Sequence, residues 1–258
     1  REKFFAMVHL WDTHHNPYRA PGFRDRFRLP RGALEVLPVQ RASAGYDYVP
    51  TWGRVGDIVW AISEKKLVRD VDGGAGRSAP EDDETAITQD LYDCSIAYLD
   101  HQVAQILKTL QKEGILDDTL IVITADHGEG LGQHDELTHS VFLYETTQHI
   151  PFLVYIPGLN NPGRKIKAIV SQVDVMPTIL DLLSIPIPSQ VQGRSLKKLI
   201  LGKERDEDKG MAFMESHFPY LHYGWSELYA LVTPRYKYIQ APKPELYDLS
   251  QDPEEEKN

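Results

Sequence analysis

The chain has 258 residues, of which 41% are hydrophobic and 10% aromatic, a composition that excludes an intrinsically disordered chain. Its formal net charge of −10 argues against a protein that binds nucleic acid or an anionic membrane through a broad basic surface. The only cysteine, Cys94, excludes an internal disulfide and a cysteine-rich zinc site. No stretch reaches the roughly 18 continuous apolar residues of a membrane helix, so we predict no membrane span in this chain.

The first element is an apolar run at residues 4–10, which predicts a buried strand at the very start of the chain. A domain rarely begins directly in an interior strand. We therefore expect this chain to be part of a longer protein whose N-terminal portion is missing here. Residues 19–83 are irregular and rich in arginine, proline and glycine, and they predict a long surface excursion.

A long amphipathic helix is predicted next, because apolar residues recur at three- and four-residue spacing up to Leu110, and Gly114 marks its end. Short apolar runs at 120–125 and 152–156 predict strands that are covered on both faces. Residues 173–183 predict a second helix with Pro177 in its first turn.

The alternation of strands and helices predicts an α/β fold with a mostly parallel sheet flanked by helices. After residue 205 the pattern changes to short runs at 228–233, 236–240 and 245–249, separated by proline and charged residues. These runs predict a small antiparallel subdomain. We therefore divide the chain into a core, residues 1–204, and a C-terminal subdomain, residues 205–258, whose last seven residues we expect to be solvated.

The densest group of chemically active side chains follows the predicted strand at 120–125. Asp126 and His127 come first, with Gly128 and Gly130 close behind, and His134 and His139 lie within the next residues. In open α/β sheets ligands bind beyond the carboxyl ends of strands, and both Asp and His can bind a divalent cation. The pattern predicts a metal site that includes Asp126 and His127.

A second histidine cluster, residues 9–18, follows the other predicted strand and includes His14 and His15. The pKa of imidazole lies near neutrality, so a histidine can hold an anionic group or protonate a leaving oxygen. These two histidines are therefore candidates for substrate binding and catalysis.

The stretch 119–134, which reads Thr-Leu-Ile-Val-Ile-Thr-Ala-Asp-His-Gly-Glu-Gly-Leu-Gly-Gln-His, resembles the metal-binding segment of the sulfatase family, in the alkaline-phosphatase-like superfamily. Further segments resemble the family in the same order: 15–18, 92–100, 142–151, 173–180, 233–238 and 245–249. Residues 19–83 match least. The resemblance implies an alkaline-phosphatase-like α/β core with a small C-terminal subdomain.

The resemblance also implies the chemistry. Sulfatases use one divalent cation, usually calcium or magnesium, and a formylglycine nucleophile made from Cys or Ser in a Cys/Ser-x-Pro/Ala-x-Arg motif. Carried over by position, Asp126 and His127 are implied as metal ligands. His15, with His14 as the alternative, is implied to contact the sulfate or the leaving oxygen. His139 lies near the position of a sulfate-binding lysine and is implied as a catalytic and substrate-binding residue.

The expected nucleophile motif is absent from this chain, because Cys94 lies inside the predicted helix and is followed by Ser-Ile-Ala-Tyr. The upstream pair of Asp ligands is absent as well, and in the family both features belong to the N-terminal part. We therefore predict that this chain alone is inactive. The expected partners are the missing N-terminal portion of the same protein and a sulfated small molecule or carbohydrate, with no nucleic acid.

Two alternatives stay open, of which the first also rests on the resemblance to the superfamily. A phosphodiesterase or phosphonate hydrolase of the same superfamily would use two metals, with His134 and His139 as additional zinc or manganese ligands. A non-catalytic binding module with a sulfatase-like fold is the alternative from a different functional class.

Overall fold

The computed structural model describes residues 3–10, 81–159, 163–205 and 210–258. The chain divides into two compact units, residues 1–118 and residues 119–258. In the described part, none of the helices combines the length and the apolar character needed to cross a membrane. The subdomain boundary that we place after residue 204 stays a prediction.

In the first unit, helix α1 (Glu81–Lys112) confirms the predicted long helix. Gly114 ends it in a left-handed conformation with φ of 64°. Its N–H donates to the carbonyl of Gln111, and the N–H of Ile115 donates to that of Leu110, both at 3.0 Å. These bonds satisfy carbonyl groups that the helix leaves without partners, as expected for a glycine cap.

Residues 3–10 are not the buried strand that the apolar run predicts. They form no strand, and the side chains of residues 3–9 are exposed, including those of Phe4, Phe5 and Met7. An apolar run becomes an interior strand only where a neighbouring strand accepts its hydrogen bonds and other layers cover its faces. Within the described residues, neither is provided for this segment.

The second unit begins with β1 (Ile121–Thr124) and β2 (Phe152–Tyr155), which confirm the two predicted strands. They pair antiparallel, with Ile121 opposite Tyr155 and Thr124 opposite Phe152, whereas we predicted a mostly parallel sheet. The connection between them holds a 3-10 turn, Gln133–Asp135, and a one-turn helix α2 (Glu145–Gln148), but no crossover helix. Parallel neighbours would need such a crossover.

The coverage of these two strands also differs from the prediction. The side chains of Leu153 and Tyr155 are exposed, and the other residues of β2 are only half-buried. In β1 the apolar residues are half-buried. The described residues therefore cover this pair incompletely, rather than on both faces as the continuous apolar runs predict.

Helix α3 (Val175–Leu182) confirms the predicted second helix, with Pro177 in its first turn. Ser171 and Asp174 form a capping box before it, in which the N–H of Ser171 donates to Asp174 Oδ2 at 3.1 Å. The hydroxyl of Thr178 accepts the N–H of Leu196 at 2.9 Å. This bond holds the following helix, α4 (Lys197–Ile200), close to α3.

A four-stranded antiparallel sheet completes the second unit. Its strands are β3 (Ala212–Ser216), β4 (Leu228–Val232), β5 (Tyr236–Gln240) and β6 (Glu245–Asp248), and they neighbour one another in that order. The last three were predicted, whereas β3 was missed. Helix α5 (Phe218–Tyr223) joins β3 to β4. The core under the sheet includes Leu143, which comes from the segment that follows the candidate metal site.

The C-terminal tail is not simply the solvated end that we predicted. Most side chains after residue 252 are exposed, but Glu255 is buried. The Asp252 carboxylate accepts the N–H groups of Glu256 at 3.0 Å and Lys257 at 2.9 Å, which folds the tail into a turn. An ion pair with Lys237, described below, draws Glu255 inward.

Candidate functional site

Asp126 lies directly beyond the carboxyl end of β1. The side chain of Gln172 donates to the backbone carbonyls of Ala125 at 2.9 Å and Asp126 at 2.7 Å, which fixes the backbone there. The Asp126 side chain is 69% exposed, and its Oδ1 accepts the N–H of His127 at 3.1 Å. A carboxylate held at this position and open to solvent can bind a cation.

The ring of His127 is oriented by its neighbour. Its Nδ1 lies 2.8 Å from the carbonyl oxygen of Gly128. A carbonyl can only accept, so Nδ1 carries the hydrogen, and in the neutral ring the lone pair is on Nε2. Nε2 lies 3.8 Å from Asp126 Oδ2. Metal-binding histidines typically donate their other ring N–H to a carbonyl or carboxylate in this way, so the pair fits a divalent cation.

His139 packs directly on this pair. Its ring stacks on that of His127, with the ring centroids 4.0 Å apart and the planes at 25°. Its Nδ1 lies 3.3 Å from both carboxylate oxygens of Glu129, and the two side chains are 13% and 11% exposed. The hydrogen bond to Glu129 raises the pKa of His139 above its ordinary value, against the opposing effect of burial. The charged form of His139, which lies beside His127, is therefore favoured more than in an isolated histidine.

The structure therefore brings together three of the predicted site residues: Asp126, His127 and His139. Sequence reasoning assigned no role to Glu129, although it lies in the same Asp-His-Gly-Glu-Gly motif. A glutamate two residues after a candidate ligand was the available signal, but its partner, ten residues further on, depends on how the loop folds back. The predicted roles of these three residues stay predictions.

Two glycines permit this fold of the loop. The N–H of Gly128 donates to Thr147 at 2.8 Å, and that of Gly130 donates to Thr138 at 2.7 Å. A Cβ on Gly128 would overlap the carbonyl oxygen of Thr146, and one on Gly130 would overlap that of Glu136. The motif needs glycine here because backbone segments approach closely.

The remaining acidic and histidine side chains of the cluster shape the loop. Glu136 is buried, and its Oε1 accepts the N–H groups of Val141 at 2.9 Å and Phe142 at 3.3 Å. Burial raises the pKa of this carboxyl. His134 turns away from Asp126: its Nε2 lies 3.0 Å from the carbonyl of Glu254, and its ring stacks on Tyr144 with centroids 3.8 Å apart.

Among the described residues, no three or more His, Cys, Asp or Glu side chains converge into a group that could hold a metal ion. His134 therefore does not join Asp126 and His127 as the two-metal alternative requires. His14 and His15 lie outside the described residues, so their position relative to the site stays a prediction. Cys94 lies within α1.

We expect His139 to titrate above its ordinary value of 6.5 in the folded chain without a bound cation, because Glu129 stabilises the imidazolium. Since the folded-state pKa exceeds the unfolded-state pKa, the pair stabilises the fold fully below the unfolded-state pKa. That contribution is lost as the pH rises through the folded-state pKa. Glu129→Gln should lower the pKa of His139, as measured by a nuclear magnetic resonance titration of the ring. Glu113→Gln, which removes the charge of an exposed glutamate, is the control. If the pKa of His139 is unchanged in Glu129→Gln, the assignment of Glu129 as its stabilising partner is contradicted.

Comparison with known proteins identifies the family of this chain. The family model for sulfatases matches residues 1–185, and the model described as N-sulphoglucosamine sulphohydrolase, C-terminal, matches residues 132–258. Arylsulfatase K of Gallus gallus is 35% identical over 173 residues, which cover 64% of this chain and 32% of the relative. Arylsulfatase K of Homo sapiens is 31% identical over 251 residues, covering 93% and 45%. The Delta 4,5-hexuronate-2-O-sulfatase of Bacteroides thetaiotaomicron is 32% identical over 170 residues, covering 61% and 34%.

Solved structures with similar folds include a complex with a sulfated substrate and a phosphonate monoester hydrolase. A protein in complex with its substrate D-glucosamine-2-N,6-O-disulfate is similar with a TM-score of 0.65 and 27% identity, over 80% of this chain and 43% of that one. The phosphonate monoester hydrolase of Agrobacterium radiobacter is similar with a TM-score of 0.60 and 28% identity, over 70% of this chain and 39% of that one.

This chain spans a third to just under half of the length of the curated relatives named here. The α/β class that we predicted is confirmed. Because the sulfatase model covers well over half of the residues, this chain belongs to the sulfatase family.

Proposed function

We propose that this chain is part of a metal-dependent sulfuric ester hydrolase and contributes one side of its cation and sulfate site. The observation that carries the proposal is the Asp126–His127 pair at the carboxyl end of β1, with His139 stacked against it. A carboxylate and an imidazole that could bind a cation, in contact with a second imidazole whose charged form is favoured, suit an anionic ester bound through that cation. Membership of the sulfatase family supports the same reaction.

Asp126 and His127 would hold the cation, for which we propose calcium, or magnesium in its place. When bound, the cation would withdraw charge from the sulfate oxygens and stabilise the negative charge that develops in the transition state. Calcium takes six to eight oxygen ligands, far more than these two residues supply. The remaining ligands would come from other residues of the whole protein, which supports our prediction that this chain alone is inactive.

His139 would supply positive charge to the bound sulfate. Glu129 keeps its imidazolium form stable, and a charged hydrogen-bond donor binds an oxyanion about twice as strongly as a neutral one. His15, or His14 in its place, is proposed as the group that contacts the sulfate or protonates the leaving oxygen. The hydrolysis step itself would need the nucleophile that this chain does not carry.

The proposed substrate is a sulfated carbohydrate or another sulfated small molecule. One relative is named a hexuronate-2-O-sulfatase, and one similar structure holds a disulfated glucosamine described as its substrate. These names support the substrate class.

A phosphonate monoester hydrolase is the second candidate, because a structure of that activity is similar with a TM-score of 0.60 and 28% identity. The two activities differ in the ester that they hydrolyse. The whole protein should therefore be assayed with 4-nitrophenyl sulfate and with 4-nitrophenyl phenylphosphonate side by side. Turnover of the sulfate alone supports our proposal, whereas preference for the phosphonate contradicts it.

The cation site is tested by calorimetric titration of this chain with Ca²⁺. We expect weak binding, with a dissociation constant of about 10⁻³ M or above, the weak end of the range for protein calcium sites. Asp126→Asn should abolish it, whereas Asp135→Asn, an exposed carboxylate in the same loop, should leave it unchanged. In the whole protein Asp126→Asn should lower kcat/KM by more than about 100-fold, since changes beyond the ligands already cost 10–100-fold.

Three results would contradict the proposal. Substantial sulfate ester turnover by this chain alone would show that its site is complete. Tight binding of two ions that survives Asp126→Asn would place the cation site elsewhere. Absence of turnover by the whole protein on every sulfate and phosphonate ester tried, with the cation bound, would favour the non-catalytic binding module.

A further inference from the structure

Lys237, the second residue of β5, is completely buried, with 0% of its side chain exposed. Its Nζ lies 3.0 Å from Oε1 of Glu145 and 2.8 Å from Oε1 of Glu255. A buried ammonium is tolerated only when it is paired, so these three side chains form one unit. These paired side chains join three parts of the chain between residues 119 and 258: the four-stranded sheet, helix α2 and the C-terminal tail.

Glu255 makes a second contact with α2. Its Oε2 accepts the backbone N–H of Glu145, the first residue of that helix, at 2.7 Å. The first N–H groups of a helix have no partner within the helix, so this carboxylate acts as a cap from a distance of 110 residues in sequence. Glu254 connects the C-terminal tail to the loop before α2, because its carboxylate accepts a hydrogen bond from Gln133 Nε2 at 3.0 Å.

Helix α2 in turn holds the candidate cation site. The carbonyl of Thr147 accepts the N–H of Gly128 at 2.8 Å, and Thr147 is buried. Gly128 approaches the helix so closely that a Cβ would overlap the carbonyl of Thr146. The carbonyl of Gly128 is the group that accepts from His127 Nδ1. A continuous series of short contacts therefore leads from Glu255 to the ring of His127.

We infer that the C-terminal tail is a positioning element for the cation site. Glu255, held by Lys237, fixes α2. Helix α2 fixes Gly128, and Gly128 sets the orientation and the tautomer of His127. The inference rests on the proposed function only for the meaning of His127 as a ligand, because the contacts themselves need no cation.

The test compares Glu255→Gln with Glu256→Gln, which changes the same charge at an exposed neighbour. Glu255→Gln leaves Lys237 with one carboxylate, Glu145, so the buried charges remain balanced and the chain can fold. Amide hydrogen exchange is followed at Gly128 and, as an internal reference, at the amides of β4. The tautomer of His127 is read in the same samples from the long-range ¹⁵N–¹H correlations of its ring.

In Glu255→Gln we expect the exchange rate of Gly128 relative to β4 to rise at least tenfold. His127 should also lose its Nδ1–H form in favour of the Nε2–H form. Glu256→Gln should change neither. A uniform rise in exchange over Gly128 and β4 would show that Glu255 acts on stability alone. No rise at all would show that Glu255 does not hold Gly128. Either result would overturn the inference.

Glu255→Asp provides an independent variant, because it keeps the charge but withdraws the carboxylate by one methylene. Selective opening of Gly128 in this variant supports positioning even if Glu255→Gln unfolds, and a uniform change in both variants overturns it. The Ca²⁺ titration remains separate. If Gly128 opens selectively but Ca²⁺ never depends on Asp126, the proposed function fails while the positioning stands. If Ca²⁺ binds as proposed but Gly128 does not open, only the positioning fails.

Discussion

Lys237→Met is expected to lower the free energy of unfolding by about 3–5 kcal/mol, which is the typical loss when one member of a buried ion pair is removed. The substitution leaves Glu145 and Glu255 facing each other around an apolar side chain. At neutral pH this would leave two carboxylates without their cation, one of them almost fully buried. Urea denaturation followed by circular dichroism measures the loss.

Lys243→Met is the matched control, because Lys243 is exposed in the turn between β5 and β6. It should change stability by no more than about 0.5 kcal/mol. Adding Glu255→Gln to Lys237→Met should recover part of the loss by removing one of the two stranded charges. A loss in Lys237→Met no larger than that in Lys243→Met would mean that the buried unit contributes nothing to stability.

Gly130→Ala is expected to distort the loop that carries His139. A Cβ at residue 130 would overlap the carbonyl oxygen of Glu136 and lie 2.8 Å from that of Thr138, both of them backbone atoms that cannot rotate away. The loop must shift, at a cost of about 1–3 kcal/mol, as for other insertions into packed regions. The shift separates His139 from Glu129, so the pKa of His139 should fall. Urea denaturation and a ring titration of His139 measure the two effects.

Gly158→Ala is the control for this variant. No atom lies near a Cβ at residue 158, but its φ of 72° strains any other residue. We therefore expect a loss of about 1–2 kcal/mol from backbone strain, with no change in the titration of His139. If Gly130→Ala leaves that titration unchanged, the close approach of the loop is not what holds His139 against Glu129.

Local pattern was sufficient to predict the two longest helices and five of the six strands in the described part of the chain. Helix α1 follows from the spacing of its apolar residues and from Gly114, and α3 follows from the run 173–183 with Pro177 in its first turn. Strands β4, β5 and β6 follow from short runs separated by turn residues. Strand β3 was missed because its residues, Ala-Phe-Met-Glu-Ser, include few of the β-branched residues typical of strands.

The candidate site was predictable only in part. Asp126 and His127 could be found because they directly follow a strand, and the motif around them resembles one family closely. Glu129 and His139 were both visible in the sequence, but their pairing depends on a loop held by Gly130 and Glu136. That pairing, rather than the residue types, stabilises the charged form of His139.

By itself, the sequence determined the family, the order of most elements and the position of the Asp126–His127 pair, because each of these depends on neighbouring residues. Tertiary structure decided the antiparallel pairing of β1 with β2, the exposure of residues 3–9 and the burial of Lys237. It also decided that Glu255 lies under α2 rather than in solvent. These features join groups as far apart as 92 and 110 residues. A charged side chain in a strand or a tail looks the same in sequence whether water or a distant partner neutralises it.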